Sequence, residues 1–408
     1  MTDGINELLD GLQKSNIRSL ARLISKIEND DLQKDEILKR IYKSTGKARI
    51  IGVTGSPGAG KSSLVDSITA YLRKKGDTVG IIAVDPTSPF SGGALLGDRI
   101  RMQQHAVDRG VYIRSMGTRG SLGGLARTTK EAVKLVDAFG FDWVIIETVG
   151  VGQAELDVMH VADTTLVVMN PGAGDSIQTI KAGIMEIADI FVVNKCDLPG
   201  ADRVVAEIGQ MLDLQREHTE WRPPVVKVST LDDRGLNGLM ESVEAHWDYL
   251  KVNGRLEKNR GAMARKETLE IVDYRWRGMV DRHLHYDGRA SEIINMAASG
   301  KKDPYTAAGE ILSHVLADSG QSGDTSAVKG GEIMAILESA LQELNGEEGK
   351  SGLSEYRAYL HGQAYGLATA LKILFPGPGN YGEKAAMAVR PVITEHSCSC
   401  GEDGLKGV

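Results

Sequence analysis

From residue 47 to about residue 250, short runs rich in Ile and Val alternate with amphipathic segments long enough to serve as crossovers. The runs are Ile50–Val53, Val79–Val84, Val111–Arg114, Trp143–Ile146, Thr165–Met169, Ile190–Val193 and Val225–Val228. Strands that are apolar on both faces and joined by helical crossovers form a mostly parallel sheet covered on each side. The expected class is therefore α/β. In such a sheet ligands lie beyond the carboxyl ends of the strands, so the loops leaving those ends are where chemistry is to be sought.

The first strand leads into Gly55-Ser56-Pro57-Gly58-Ala59-Gly60-Lys61-Ser62-Ser63, which fits G-x-x-x-x-G-K-[ST]. Each residue type has a physical task. Glycines let backbone N–H groups curl around an anion, and the helix that follows adds the partial positive charge of its amino end. Lys61 would reach the terminal phosphates and Ser62 would hold magnesium. Leu64, Val65, Ile68 and Leu72 recur at helical spacing behind the lysine, giving the motif its strand–loop–helix context.

Asn194-Lys195-Cys196-Asp197 follows the sixth run. A carboxylate there can accept from the ring N–H and exocyclic amine of guanine, while Lys195 packs over the base and Asn194 braces the loop. Adenine offers no such donor pair, so this site selects GTP over ATP. Ser229 and Thr230, after the seventh run, complete the expected nucleotide-binding set. The fourth run ends in Glu147-Thr148-Val149-Gly150. Its acid can support magnesium, and Gly150 can turn its N–H toward the γ-phosphate. Val151 stands where many small GTPases carry a glutamine that positions water, and Gln153 lies further on. Slow hydrolysis by the isolated chain is expected. Asp85 and Asp98 are further candidate metal neighbours, and an ordinary turn or cap role also suits each.

The formal net charge of −7 argues against a nucleic-acid binder reliant on overall basicity. Three cysteines, Cys196, Cys398 and Cys400, are too few and too scattered for a disulfide framework. The first residues lack a basic segment followed by an apolar one. No window approaches the eighteen or so apolar residues of a membrane span. The expected location is cytoplasmic, away from membranes.

Four regions are expected. Residues 1–46 are helical, a collar packed on a later core, and residues 47–250 form the α/β domain. Residues 251–318 are helical, with Leu269, Ile271, Val272, Trp276, Met279, Val280 and Leu284 on an apolar side and a last helix beginning at Asp303-Pro304-Tyr305. That side either pairs with a second copy or packs on its own domain. Residues 319–408 hold a Gly/Ser-rich linker to 331, two further helices and a glycine-rich tail. His396, Cys398 and Cys400 in the tail could bind a soft metal or belong to a disordered end, and His283 and His285 read as helix surface.

The combination resembles the MeaB/ArgK type of P-loop GTPase, from the N-terminal helices to about residue 318. The stretches that carry it are Gly55–Ser62, Val84–Pro89, Gly97–Met102, Thr118–Gly124, Glu147–Gln153, Pro171–Asp175 and Asn194–Asp197. The resemblance implies a homodimeric, GTP-driven chaperone of an adenosylcobalamin-dependent acyl-CoA mutase, chiefly methylmalonyl-CoA mutase. It implies catalytic roles for Lys61, Asp98 and Glu147, and a magnesium neighbourhood of Ser62, Asp85, Asp98 and Glu147. It further implies switches at Pro86–Gly97, Val149–Glu155 and Asn170–Lys181. Residues 319–408 have no counterpart in it. Other readings are a nickel metallochaperone, which would want a His/Cys cluster near the nucleotide, a kinase of an amino-acid-binding transport protein, and a nucleotide-binding module without turnover.

Overall fold

The computed structural model describes residues 3–85, 105, 107–117, 127–148, 157–171, 186–214, 220–252, 254–286 and 288–319, with isolated positions at 338, 384, 385 and 387. Its centre is a seven-stranded sheet. The strands are β1 (Arg49–Gly55), β2 (Val79–Asp85), β3 (Val111–Gly117), β4 (Trp143–Thr148), β5 (Thr164–Met169), β6 (Ile190–Val193) and β7 (Val225–Lys227). Their spatial order is β3-β2-β4-β1-β5-β6-β7, and every neighbouring pair is parallel. β1 to β5 extend their Ile/Val runs by one to three residues, β6 coincides with its run, and β7 stops one residue short at Lys227.

Helices cover both faces, as a sheet apolar on both sides requires. On one face α4 (Lys61–Lys74) and α7 (Leu236–Val252) pack Leu64, Ile68, Leu72, Leu239 and Val243 against Ile51, Val53, Ile145 and Val192. On the other, α5 (Arg127–Phe139) and α6 (Ala201–Leu214) cover Ile82, Ile146, Val167 and Phe191. Full burial of each such side chain contributes about 1.5–3 kcal/mol.

The collar comprises α1 (Asp3–Gln13), α2 (Ile17–Glu28) and α3 (Lys34–Ile41). Asn16 caps α2, its Oδ1 accepting from Arg18 N at 2.9 Å. Leu20, Leu23, Ile24 and Ile27 of α2 are wholly buried in the core that also holds Ala132, Val133 and Val136 of α5. Ion pairs fasten this layer: Arg114 of β3 meets Glu28, and Lys34 meets Glu131 at 2.7 Å with both side chains 5 % exposed.

The entry into β1 is held by side chains distant in sequence. The Asp137 carboxylate accepts from the backbone N–H groups of Gly46, Lys47 and Ala48, and Asp163 accepts from Ile50 N at 2.9 Å. Arg260, on α8 (Arg255–Tyr286), donates to both Asp163 oxygens at 2.8 Å and to the carbonyls of Gly46 and Ala48.

Contacts divide the chain into two compact units, Met1–Lys266 and Glu267–Val408. The second contains the rest of α8, then α9 (Gly288–Ala298) and α10 (Pro304–Ser319), which pack on each other. Asp303 caps α10 by accepting from Thr306 N at 2.9 Å, with Pro304 at the first helical position. Averaged over its 32 residues α8 has almost no one-sided apolar bias, and the apolar side expected from Leu269 to Leu284 occupies only its second half. The expected linker, the helices after it and the tail with His396, Cys398 and Cys400 lie outside the described residues. Among the described residues no helix is long and apolar enough to cross a membrane.

A buried polar chain links the amino ends of β5 and β6. Thr164 Oγ1 lies 2.9 Å from His246 Nδ1, and His246 Nε2 lies 3.3 Å from Asp189 Oδ1. Burial pushes the Asp189 carboxyl up to about 7, although 32 % of its side-chain surface stays exposed and Thr165 N–H acts the other way. Burial also pulls the His246 imidazole down to about 4. Between about pH 4 and 7 the folded chain keeps the Asp189 proton that the unfolded chain loses, so this group's stabilisation falls as pH rises. His246 is neutral when folded and charged when unfolded between about pH 4 and 6.5, so its contribution rises with pH. The two slopes oppose. In His246→Gln the Asp189 slope is expected to stand alone, with stability falling from pH 4.5 to 7 relative to the parent. Urea denaturation at each pH reads this, and a variant whose stability rises with pH relative to the parent would contradict it.

Candidate functional site

The turn after β1 has the backbone of an anion cradle. Gly55, Gly58 and Gly60 have φ of +133°, +75° and +88°, a region that side chains with a Cβ rarely enter. Space reinforces the choice at two of them: a Cβ on Gly55 would collide with the Val168 carbonyl oxygen, and one on Gly60 with Asn194 Nδ2. Gly60 stands in the left-handed region at the amino cap of α4, and no side chain caps that helix end. The orphan N–H groups of its first turn are therefore open to an anion. Gly60→Ala is expected to weaken GDP binding at least about tenfold, because the cradle must open to admit a methyl group. Titration calorimetry checks this, and affinity within about twofold of the parent would contradict it.

Lys61 is 6 % exposed, its Nζ donating to the carbonyls of Gly55 at 2.8 Å and Ser56 at 3.0 Å. The ammonium is thus held across the loop. Ser62 Oγ donates to Glu147 Oε1 at 2.6 Å, bringing the helix hydroxyl to the acid that ends the fourth Ile/Val run. Glu147 is 4 % exposed at the carboxyl end of β4, next to β1 in the sheet. A hydroxyl beside a carboxylate is a hard-oxygen donor set of the kind magnesium takes. Among the described residues no three His, Cys, Asp or Glu side chains cluster as a metal site. Asp98, Gly150, the Asp85 side chain and most of the three expected switches lie outside the described residues.

The loop after β6 leans directly on the cradle. Asn194 is wholly buried, its Nδ2 donating to Ala59 O at 2.9 Å and Gly60 O at 3.3 Å. Among the described residues its Oδ1 is buried without a hydrogen-bond partner. Lys195 adopts φ +56° and its Nζ donates to Gly58 O at 2.8 Å. Cys196 N donates to Val228 O at 3.0 Å, which ties this loop to the one after β7. There Ser229 pairs with Arg234, Thr230 opens the turn, and Gly235 closes it with φ +79°, where a Cβ would strike Lys227 O. The Asp197 side chain is exposed beside these two loops.

The structure thus gathers Gly55–Ser63, Glu147, Asn194–Asp197 and Ser229–Thr230 at the carboxyl edge of the sheet. It also places there two residues to which the motifs assign no role, Thr54 and Thr148. Their signal was faint: a single hydroxyl in each of two Ile/Val strands.

Residues 20–281 match the family model described as "Methylmalonyl Co-A mutase-associated GTPase MeaB". A Pyrococcus abyssi protein named as a GTPase is 48 % identical over 315 residues, 76 % of this chain and 97 % of that one. The mitochondrial methylmalonic aciduria type A homolog of Caenorhabditis elegans is 34 % identical, covering 76 % of this chain and 82 % of its own. A crystal structure titled as an LAO/AO transport system kinase superposes with a TM-score of 0.56 and 25 % identity, over 75 % of this chain and 96 % of that one. With a P-loop, a guanine-type loop and this parallel sheet in one chain, the protein belongs to the MeaB family of methylmalonyl-CoA mutase-associated GTPases.

Proposed function

We propose that this GTPase is a nucleotide-driven chaperone of an adenosylcobalamin-dependent acyl-CoA mutase, with methylmalonyl-CoA mutase the partner to test first. The observation that carries the reading is the match of residues 20–281 to a mutase-associated family, joined to a nucleotide-type cradle in the same segment. Backbone N–H groups of Gly55–Ser63 cradle the phosphates, and Lys61 takes the terminal ones. Asn194 braces the cradle, Lys195 packs over the base, Asp197 accepts from the guanine edge, and Ser229 and Thr230 line its far side.

Ser62 and Glu147, with Asp85 and Asp98, would hold magnesium, which would neutralise charge on the β- and γ-phosphates when bound. By the sequence motifs, Asp98 would assist at the phosphate end and Gly150 would offer its N–H to the γ-phosphate. With Val151 after Gly150, no side chain in that position orients water, so turnover by the chain alone is slow and awaits a partner. GTP and GDP then select between switch conformations, and a mutase that binds them unequally senses the difference.

Homodimerisation through residues 251–318 is part of the proposal. It is supported by exposed Val272, Tyr274, Ile294, Met296 and Tyr305 in the second unit. The deciding experiment is GTP hydrolysis by the purified chain with and without an adenosylcobalamin-dependent acyl-CoA mutase. Stimulation with complex formation supports the chaperone reading, and turnover with neither removes it. The likeness to the structure titled as a transport system kinase favours one alternative, transfer of the γ-phosphate to a transport protein. GTP labelled at its γ-phosphate separates the two, because a chaperone releases all of that label as inorganic phosphate.

A further inference from the structure

The backbone ladder between β1 and β4 ends at the pair Val53–Glu147. Beyond it β1 continues to Gly55 along β5, and β4 continues to Thr148 along β2. The two strands part where the phosphate cradle begins. One residue past their last backbone pair, Thr148 Oγ1 donates to Thr54 Oγ1 at 3.0 Å and lies 3.5 Å from the Val53 carbonyl oxygen. Both threonines are wholly buried.

Side chains alternate along a strand. Val53 packs in the α4-side core and Glu147 accepts from Ser62 of α4, so Thr54 and Thr148 face the other way. Neither reaches the cradle or the Ser62–Glu147 pair, yet each is one peptide from it: Thr54 precedes Gly55 and Thr148 follows Glu147. A buried hydroxyl is costly unless bonded, and a valine would fill the same volume. The bond therefore does what the ladder stops doing, holding the two strand ends at a set separation.

We propose that Thr54 and Thr148 are a positioning pair that fixes the distance between the start of the phosphate cradle and the Glu147 carboxylate, and thereby governs the magnesium-dependent step of GTP hydrolysis. The inference rests on the assignment of Ser62 and Glu147 to the magnesium neighbourhood. It predicts a selective defect. The cradle glycines, Lys61 and the guanine-side loop keep their own anchors, so nucleotide affinity without metal survives while the metal-linked steps weaken.

The test uses the full chain and its Thr148→Val, Thr54→Val, doubly substituted and Thr148→Ser forms. Three quantities are read: GTP turnover, GDP affinity in EDTA, and the factor by which magnesium slows GDP release. Thr148→Val is expected to lower kcat about tenfold and to shrink the magnesium effect similarly, with GDP affinity in EDTA within about twofold of the parent. The double variant should be no worse than Thr148→Val, since that substitution already removes the bond to Thr54 and the longer contact to Val53 O. Thr148→Ser should restore both quantities to within about threefold, because it returns the hydroxyl.

Unchanged turnover and magnesium response in Thr148→Val would overturn the proposal. So would an equal loss of GDP affinity in EDTA, which marks a general loss of structure, or a failure of Thr148→Ser to restore. Should Thr148→Val not fold, Thr54→Val removes the same bond and is judged by the same criteria. Parent turnover and its magnesium dependence report separately on the assignment beneath: if magnesium leaves the parent unaffected, the metal assignment fails and the pair's proposed role with it. A magnesium-responsive parent with an unaltered Thr148→Val variant overturns the pair alone.

Discussion

Lys61→Ala is expected to lower kcat/KM for GTP at least about a thousandfold, equivalent to about 4 kcal/mol of transition-state stabilisation. The ammonium is fixed by the Gly55 and Ser56 carbonyls, and it is 6 % exposed. It therefore meets the phosphates already oriented and largely out of water, where an electrostatic contact is worth most. Against this, the substitution costs the loop two hydrogen bonds, each worth about 0.5–1.5 kcal/mol net, or somewhat more with a charged donor. Relief of a buried charge offsets part of that cost. The functional loss should therefore far exceed the loss of stability. Steady-state kinetics and thermal unfolding on the same preparation measure both. Turnover within about threefold of the parent would remove Lys61 from the site.

The second large effect is one of specificity. Asp197→Asn is expected to weaken GTP about a thousandfold, because the carboxylate accepts from two guanine donors and a carboxamide accepts with only one of its two polar atoms. Folding should change by no more than about 0.5 kcal/mol, since the side chain is exposed. Its loop is anchored by neighbours, Asn194 on Ala59 and Gly60, Lys195 on Gly58 and Cys196 on Val228. Xanthine carries a carbonyl where guanine carries its amine, which suits the new N–H₂ donor. Xanthosine triphosphate should therefore gain affinity while GTP loses it. Competition binding with the two nucleotides tests this, and an unchanged order of preference would rule out the assignment of Asp197 to the base.

The strands and the cradle were legible because their signals are local. Ile50 to Val53, Gly55 to Ser63 and the flanking helix lie within one short stretch, and each residue type is constrained by backbone geometry at its own position. Asn194 was legible as a brace for a related reason, since its motif ends a strand of the same sheet. The partners of the collar were not. Nothing in the spacing of Leu20, Leu23, Ile24 and Ile27 says that they pack on α5, or that Glu28 meets Arg114 of β3. The Thr54–Thr148 bond was hidden likewise, since it depends on which strand lies beside β1 and in what register.

Arg260 sets an order of events during synthesis. The carbonyls of Gly46 and Ala48, which lead into the strand that carries the cradle, receive its guanidinium from 214 and 212 residues downstream. A ribosome that has just released Asn194 and Asp197 has made every nucleotide-contacting motif named above except the loop at Ser229, and the Asp137 and Asp163 carboxylates that hold the strand's amides, yet the guanidinium that holds its carbonyls is still to come. Until the start of α8 has left the exit tunnel, the nascent chain can gather its phosphate-binding parts with only the carboxylate half of that fastening in place. Completion of the nucleotide domain is thereby linked to emergence of the helix that continues into the second unit.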